Sequence, residues 1–322
     1  MADIQLLSVD AARYSSRHKT WRRTTKSAKM VLEHLPSTIE LVTWNVDFSA
    51  ALAKPRLKAA LTHIQDDVLM CKGGERPPPC CILLQEILKV GHNVEIIVAF
   101  QANSPLWQEA FRTILDNEWL QQYFIVAPRK LDEWPPGAHY GNVTLVSRTV
   151  PVSGVYSLEY DSHMNRNALF VDLKLSVPAA PSRVVTLRVG NTHLESLPIP
   201  GAAMRPAQLG LVAEVLREED LIGGIVCGDM NAISPSDIGL TEKVGLADAF
   251  EDGEEEEEDG YTWGYQPPCE FAPGRLDKIL FTPGAGGYEV EQPQRIGLAL
   301  KTDKGQWVSD HYGLVTTVRI ME

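Results

Sequence analysis

No run in the sequence is long and apolar enough to cross a bilayer. Its longest hydrophobic stretches, such as Ile96–Phe100, fall far short of the ~20 residues a membrane helix needs. The first ten residues hold two aspartates and no apolar core, unlike a secretory leader. Cysteine is scarce: there are five, at positions 71, 80, 81, 227 and 269, with no Cys-x-x-Cys pair. That argues against a disulfide framework and a zinc ribbon, and it fits a reducing interior. Positive charge is short too, with 30 Lys and Arg against 42 Asp and Glu and a net charge of −12. What is present is globular, with 44% hydrophobic and 22% charged residues, which excludes wholesale disorder. The 322 residues are within reach of one large α/β domain. The expectation is an intracellular protein of the nucleus and/or cytoplasm, with no membrane partner.

The charge is unevenly spread. Eight acids crowd into Glu251–Asp259 (EDGEEEEED), whereas between Ala11 and Met30 every charged residue is basic: Arg13, Arg17, Lys19, Arg22, Arg23, Lys26 and Lys29. The acidic run reads as a solvated loop. The basic stretch reads as an arm, disordered or loosely docked, as a phosphate-attracting tail, or as a targeting segment. Residues 1–38 are therefore set apart as a basic N-terminal arm from one domain over 39–322.

Beyond the arm, strand and helix patterns alternate without a linker. Strands are expected at Ile39–Phe48, Cys81–Ile87, Tyr123–Pro128, Asn142–Arg148, Asn167–Val177, Val184–Glu195, Ile225–Asn231, Arg275–Phe281 and Gly313–Ile320. Helical spacing marks Pro55–Met70, Pro105–Gln121 and Pro206–Asp220. Strands joined partly by hairpins and partly by helices imply an α/β fold of two packed sheets with helices outside.

Acids and amides interrupt these strands in a repeated way. Residues i and i+2 of a strand share a face. Leu41 and Thr43 thus share one with Asn45 and Asp47, and Ile82 and Leu84 share theirs with Glu86. Val185, Leu187 and Val189 line up with Asn191, His193 and Glu195; Ile225 and Cys227 with Asp229 and Asn231; Ile279 and Phe281 with Asp277. Any one of these is an ordinary strand-end polar residue. Five together would build a polar pocket at the mouth of the core, where such groups must be paired, hydrogen-bonded or holding a metal. Oxygen ligands without thiolates suit a hard cation such as Mg²⁺.

In order along the chain, TWNVD (Thr43–Asp47), LLQE (Leu83–Glu86), NTHLES (Asn191–Ser196), GDMN (Gly228–Asn231), RLDKI (Arg275–Ile279) and SDH (Ser309–His311) together resemble the endonuclease/exonuclease/phosphatase superfamily. Within it, HLES, the Arg166–Asn167 pair, MRPAQL (Met204–Leu209) and YTW (Tyr261–Trp263) are similar to the 5′-tyrosyl-DNA phosphodiesterase branch and its fungal-type relatives. The resemblance implies a four-layer α-β-β-α sandwich of two packed mixed sheets with outer helices, making 39–322 a catalytic domain. It implies a Mg²⁺-dependent phosphodiesterase, Mn²⁺ substituting, that acts in DNA repair. The partner would be a single-stranded or frayed DNA 5′ end with a tyrosyl adduct, met by a monomer. A phosphatase or phosphodiesterase on a small phosphoester, such as a nucleotide or inositol phosphate, is the alternative. A catalytically inactive binding module is a third, against which the presence of every motif acid and amide argues.

Carried over by motif, the resemblance makes Glu86 the main metal ligand, with Asn45 beside it, Asp47 in the outer shell and Asp310 on the metal side. Asp229 would position and activate the attacking water, and Asn231 would help hold it and the scissile phosphate. His311 would donate to a non-bridging oxygen while Asp277 takes its other ring nitrogen. His193 and Ser196 would contact phosphate, Arg166 the substrate backbone, Trp263 the terminal base, and Tyr140 the leaving group. Bland alternatives stand beside three of these: His193 as a strand cap, Arg166 paired with Asp161, and Trp263 as a core aromatic.

Overall fold

The structure is a computed structural model that describes residues 4–24, 35–47, 49–88, 110–250, 257–284 and 286–321. Residues 25–34 of the basic arm, the start of the helix expected at Pro105, and residues 251–256 of the acidic run lie outside the described residues.

Three short strands, β1 (Leu7–Ser8), β2 (Ala12–Ser15) and β3 (Thr20–Arg23), precede the long β4 (Thr38–Asn45). Helix α1 (Ala53–His63) runs into a π-helical turn, Ile64–Val68, and the chain returns as β5 (Cys80–Leu88). The described part of the next helical stretch is two pieces, α2 (Ala110–Leu115) and α3 (Glu118–Tyr123). The break falls at Asn117, whose extended backbone and side chain, accepting from the Leu120 N–H, start a new helix. Then come β6 (Phe124–Ala127), β7 (Tyr140–Ser147), β8 (Val152–Glu159) and the long hairpin β9 (Asn167–Val177) and β10 (Ala180–His193). Helix α4 (Gly201–Val215), β11 (Gly223–Asp229), α5 (Leu240–Lys243) and β12 (Ala247–Asp248) follow. The last strands are β13 (Asp277–Phe281), β14 (Tyr288–Val290), β15 (Gln294–Ile296) and β16 (Gly313–Ile320).

These strands form two mixed sheets. One runs β1-β8-β9-β10-β11-β13-β12; the other runs β14-β16-β4-β5-β7-β6-β2-β3, with β15 also on β16. Among the described residues only β4–β5 and β10–β11 pair in parallel, and each is joined through a helix, as a parallel crossover requires. Alternation along the strands sorts apolar side chains into three layers. Leu41, Leu83, Leu169, Leu187, Ile225 and Ile279 fill the space between the sheets. Trp44, Ile82 and Leu84 pack outward on Leu57, Leu61 and Phe111 of the helices. Phe170, Val226 and Leu280 pack on Leu209 and Val212 of α4. The result is the four-layer α-β-β-α sandwich.

The arm needs a correction. Its described residues are strands of the fold: β1 pairs with β8, and β2 pairs with β6 and β3, so both sheets extend into it. Tyr14 and Trp21 meet edge to face, and the Trp21 indole donates to the Leu115 carbonyl, which anchors the hairpin on the helical layer. The basic residues masked this apolar pair.

Candidate active site

Four of the five strand-end placements follow the pleat. Asn45, His193, Asp229 and Asp277 continue the inter-sheet face of β4, β10, β11 and β13, and all are buried. Glu86 does not. Ile82 and Leu84, its expected face-mates, point outward to the helices, and it is Gln85 that is buried between the sheets, donating to Thr43 Oγ1 and Asn191 Oδ1. A bulge in the β5–β7 ladder between Leu84 and Ile87, with Glu86 at φ 60°, swings its carboxylate back toward Asn45.

The centre is a ring of short polar contacts. Asn45 Nδ2 donates to Asp229 Oδ2 at 3.0 Å and to Glu86 Oε1 at 3.2 Å. His193 Nε2 faces the same two oxygens, at 3.3 Å and 3.7 Å. Asp229 Oδ1 accepts the Asn231 N–H at 2.9 Å, while the Asn231 amide donates to the Leu194 carbonyl. His311 Nδ1 lies 2.6 Å from Asp277 Oδ2, and its Nε2 is 3.8 Å from Asp229 Oδ2 and 3.9 Å from Asp310 Oδ1. Trp263 donates its indole N–H to Asp310 Oδ2 at 3.1 Å and stacks on the exposed Phe271. On the other flank Arg166 reaches His193 Nδ1 at 2.5 Å and Ser196 Oγ at 2.7 Å, and its guanidinium sits 4.9 Å from the centre of the Tyr140 ring. Arg166 therefore bonds within the site rather than to Asp161, and every residue singled out lies around this ring.

Asn45 and Asp47 are held by local hydrogen bonds. The Asn45 amide oxygen accepts the Asp47 N–H at 3.0 Å, and its nitrogen is the atom turned to Glu86 and Asp229. Asp47 Oδ1 takes the Ser49 N–H, the Ser49 hydroxyl and the Ala50 N–H, which commits it to the turn after β4.

Charges in the ring are set by neighbours. Burial lowers the His193 imidazole to about 4, helped by the Arg166 cation, so it is neutral at physiological pH. Burial alone would raise the Asp229 carboxyl, but the facing His193 and His311 hold it well below the usual carboxylate range. Burial disfavours a charged His311, yet Asp277, Asp310 and Asp229 overcome it and raise this imidazole well above 6.5. Burial also raises the Asp277 carboxyl, and the facing His311 offsets part of that. The Tyr140 phenol is raised by burial.

Asp229, Asp277 and His311 offer ligand atoms within 4.8 Å of one another. Two of them, His311 and Asp277, are joined by the 2.6 Å bond, and Asp229 faces the other ring nitrogen at 3.8 Å. The partly buried Glu86 and Asp310 carboxylates offer further oxygen ligands of the kind a hard cation takes. Burial raises the Asp310 carboxyl, and a nearby cation would offset that cost.

Several residues that build the site carried no signal in the motifs as read. Buried Arg56 donates to the carbonyls of Val46, Asp47, Ala50, Ala51 and Val308, tying the turn after β4 to the SDH segment. Thr262 Oγ1 accepts the N–H groups of Leu276 and Asp277, and Ser309 Oγ donates to the Asn45 carbonyl. Asn142 Nδ2 bridges the sheets to the Asn167 and Asn191 carbonyls.

Two packed sheets whose ends gather carboxylates, amides and paired imidazoles define a phosphoesterase type of centre. The chain matches the Endonuclease/Exonuclease/phosphatase family over residues 42–311 and belongs to it. Members of this family are hydrolases acting on phosphoester bonds. Among solved structures, a zebrafish TDP2 humanized by 14 mutations superposes with a TM-score of 0.62 at 18% identity, over 88% of this chain and 99% of that one. Truncated Caenorhabditis elegans TDP2 gives 0.60 at 19%, over 88% and 97%, and the human Nocturnin catalytic domain 0.56 at 17%, over 89% and 96%. Among curated proteins, none matches this chain. Among the described residues, no helix is long and apolar enough to cross a membrane.

Proposed function

We propose that this protein is a Mg²⁺-dependent phosphodiesterase that hydrolyses 5′-phosphotyrosyl linkages at DNA ends, as a monomer of the nucleus and/or cytoplasm serving DNA repair. The observation that carries this is the continuity of the site. The Asp229, His311 and Asp277 cluster is flanked on one side by Arg166, His193 and Ser196 and on the other by the Trp263 and Phe271 rings. A zebrafish TDP2 structure holds a single-strand DNA product, and the fold it shares with this chain supports a strand entering the same groove.

Glu86 and Asp310 would hold the cation, which when bound would polarise a phosphoryl oxygen. Asp229, kept ionised, orients the attacking water and takes its proton as the new P–O bond forms. His311, kept protonated, donates to a non-bridging oxygen as charge gathers there. The neutral His193 bears its proton on Nε2, because the Arg166 guanidinium can only donate to Nδ1, and so it offers a second donor. The bond to the tyrosine oxygen breaks and the oxygen leaves with its electron pair; with a phenol pKa of ~10 it needs no strong acid.

The test is a panel: 5′-tyrosyl and 3′-tyrosyl oligonucleotides, an abasic duplex, a mononucleotide and inositol phosphates, with Mg²⁺ and with chelator. The expected result is fastest release from the 5′-tyrosyl strand, lost in chelator and restored by Mg²⁺ or Mn²⁺. A strong preference for a small phosphoester would install the alternative, and full activity in excess chelator would remove the cation from the mechanism.

A further inference from the structure

HLES and MRPAQL are joined by a ring of buried and part-buried bonds centred on Glu195, a residue that the chemistry above does not use. Glu195 is fully buried between His193 and Ser196 in sequence, yet its carboxylate is spent elsewhere. It accepts the Ser162 hydroxyl at 2.5 Å, the His163 N–H at 3.1 Å and the Gln208 amide at 3.3 Å. Ser162 Oγ in turn accepts the backbone N–H groups of Met164 at 3.1 Å and Arg166 at 2.9 Å. The Arg166 guanidinium then returns to His193 and Ser196, which bracket Leu194–Glu195 in the same segment. The ring closes: carboxylate, hydroxyl, arginine main chain, guanidinium, and the segment it started from. Helix α4 braces it twice. Gln208 accepts the Glu195 N–H, and Arg205 donates to the Glu195 and Leu197 carbonyls while paired with Asp237 at 2.7 Å.

We infer that Glu195 is a positioning residue, which through Ser162 sets Arg166 and thereby the tautomer and aim of His193. This rests on the reading of Arg166, His193 and Ser196 as phosphate-side contacts. A serine hydroxyl that donates once and accepts twice has its capacity filled, so deleting it breaks the ring at one point and leaves Glu195 with two donors. The MRPAQL segment serves the active site from behind, without touching the substrate.

The experiment compares Ser162→Ala, Ser162→Thr and Glu195→Gln, with Asn117→Ala, which removes the cap of α3, as a control for destabilisation alone. Amide hydrogen exchange at Met164 and Arg166 reports the ring without any substrate. Hydrolysis of bis(4-nitrophenyl) phosphate, a diester that does not depend on which alcohol the site prefers, reports its effect on chemistry. Calorimetric binding of inorganic phosphate gives the same comparison without turnover. Ser162→Ala and Glu195→Gln should speed exchange at both amides, lower kcat roughly tenfold with a smaller change in KM, and weaken phosphate binding. Ser162→Thr should restore all three, and Asn117→Ala should lower Tm with kcat unchanged. Unchanged exchange would show that the ring does not hold the loop. Faster exchange with kcat and phosphate affinity as in the unaltered protein would reduce the ring to a structural brace. Loss of the 5′-tyrosyl preference alone would sink the substrate assignment and leave this inference standing.

Discussion

The bond between His311 Nδ1 and Asp277 Oδ2 is 2.6 Å long and buried, and it sets how the centre responds to pH. A histidine raised above 6.5 keeps its proton, and the stability that proton brings, fully below that value and loses both as pH rises through the raised one. Activity that needs the imidazolium should therefore fall on the alkaline side, later than an ordinary histidine would allow. Asp277 is the foremost of the carboxylates that raise it, so Asp277→Asn should move the alkaline limb to lower pH. A kcat profile over about pH 5 to 9 reads this directly, and an unmoved limb would assign it to another group. Asp229 has the opposite sign: depressed in the fold, it contributes stability above 3.8 that is lost as pH falls through its folded value. Asp229→Asn and His311→Ala should each lower kcat by roughly 10²–10⁴-fold with less effect on KM, as expected for transition-state contacts. Losses of only a few-fold would place water orientation elsewhere. Glu86→Gln should raise the Mg²⁺ concentration needed for half-maximal rate at near-normal Tm, since its carboxylate lies at the partly exposed mouth; loss of folding instead would make it a structural group.

Among the elements, what the sequence disclosed and what it hid divide along one physical line. Pleat alternation is regular, so Asn45, His193, Asp229 and Asp277 could be placed on one face from spacing alone. A bulge breaks that arithmetic by adding a residue, and nothing in LLQE announces it; Glu86 reached the site for a reason other than the one its spacing suggested. The β2–β3 hairpin was hidden by its arginines, although Tyr14 and Trp21 supply the packing. In GDMN the invisible constraint is backbone approach. Gly228 lies at φ 143° where β11 passes β10, and a Cβ there would collide with the Thr192 carbonyl oxygen. Arg56 was hidden because one arginine in an amphipathic helix reads as a solvated face. In the fold its donors serve five carbonyls, burial lowers its pKa, and Asp47, Asp310 and Glu86 offset part of that. Arg56→Ala should cost more than about 3 kcal/mol in denaturant unfolding, since it strands buried acceptors. Arg56→Lys, with too few donors, should recover only part of it; a loss below about 1 kcal/mol would mean that water replaces the guanidinium.

On the scale of the whole molecule, the two sheets bring strand ends from residues 38–45, 80–88, 180–193, 223–229 and 277–281 to one edge of the sandwich, which is how motifs scattered along the chain become one centre. The net charge of −12 works against a polyanionic substrate, and Glu251–Asp259 concentrates eight of the acids just ahead of Tyr261–Trp263 in sequence. Near its end, Asp259 pairs with Arg295 at 2.9 Å, and the Arg295 guanidinium also donates to the Tyr261 carbonyl. Asp259 is thereby held close to the YTW segment, whose Trp263 donates to Asp310. Charge repulsion from such a run acts over about a Debye length, ~10 Å at 0.1 M salt and ~30 Å at 0.01 M. Deleting Glu254–Glu258 should therefore raise kcat/KM on a 5′-tyrosyl oligonucleotide several-fold at low salt and little at high salt, with kcat on a neutral-leaving-group diester unchanged. If the run instead shields the site from DNA while a small phosphoester is the true substrate, the same deletion should leave the preferred rate unaltered at every salt concentration. Rates measured across an ionic-strength series on both substrates separate the two, because only a polyanion samples the run's field along its length.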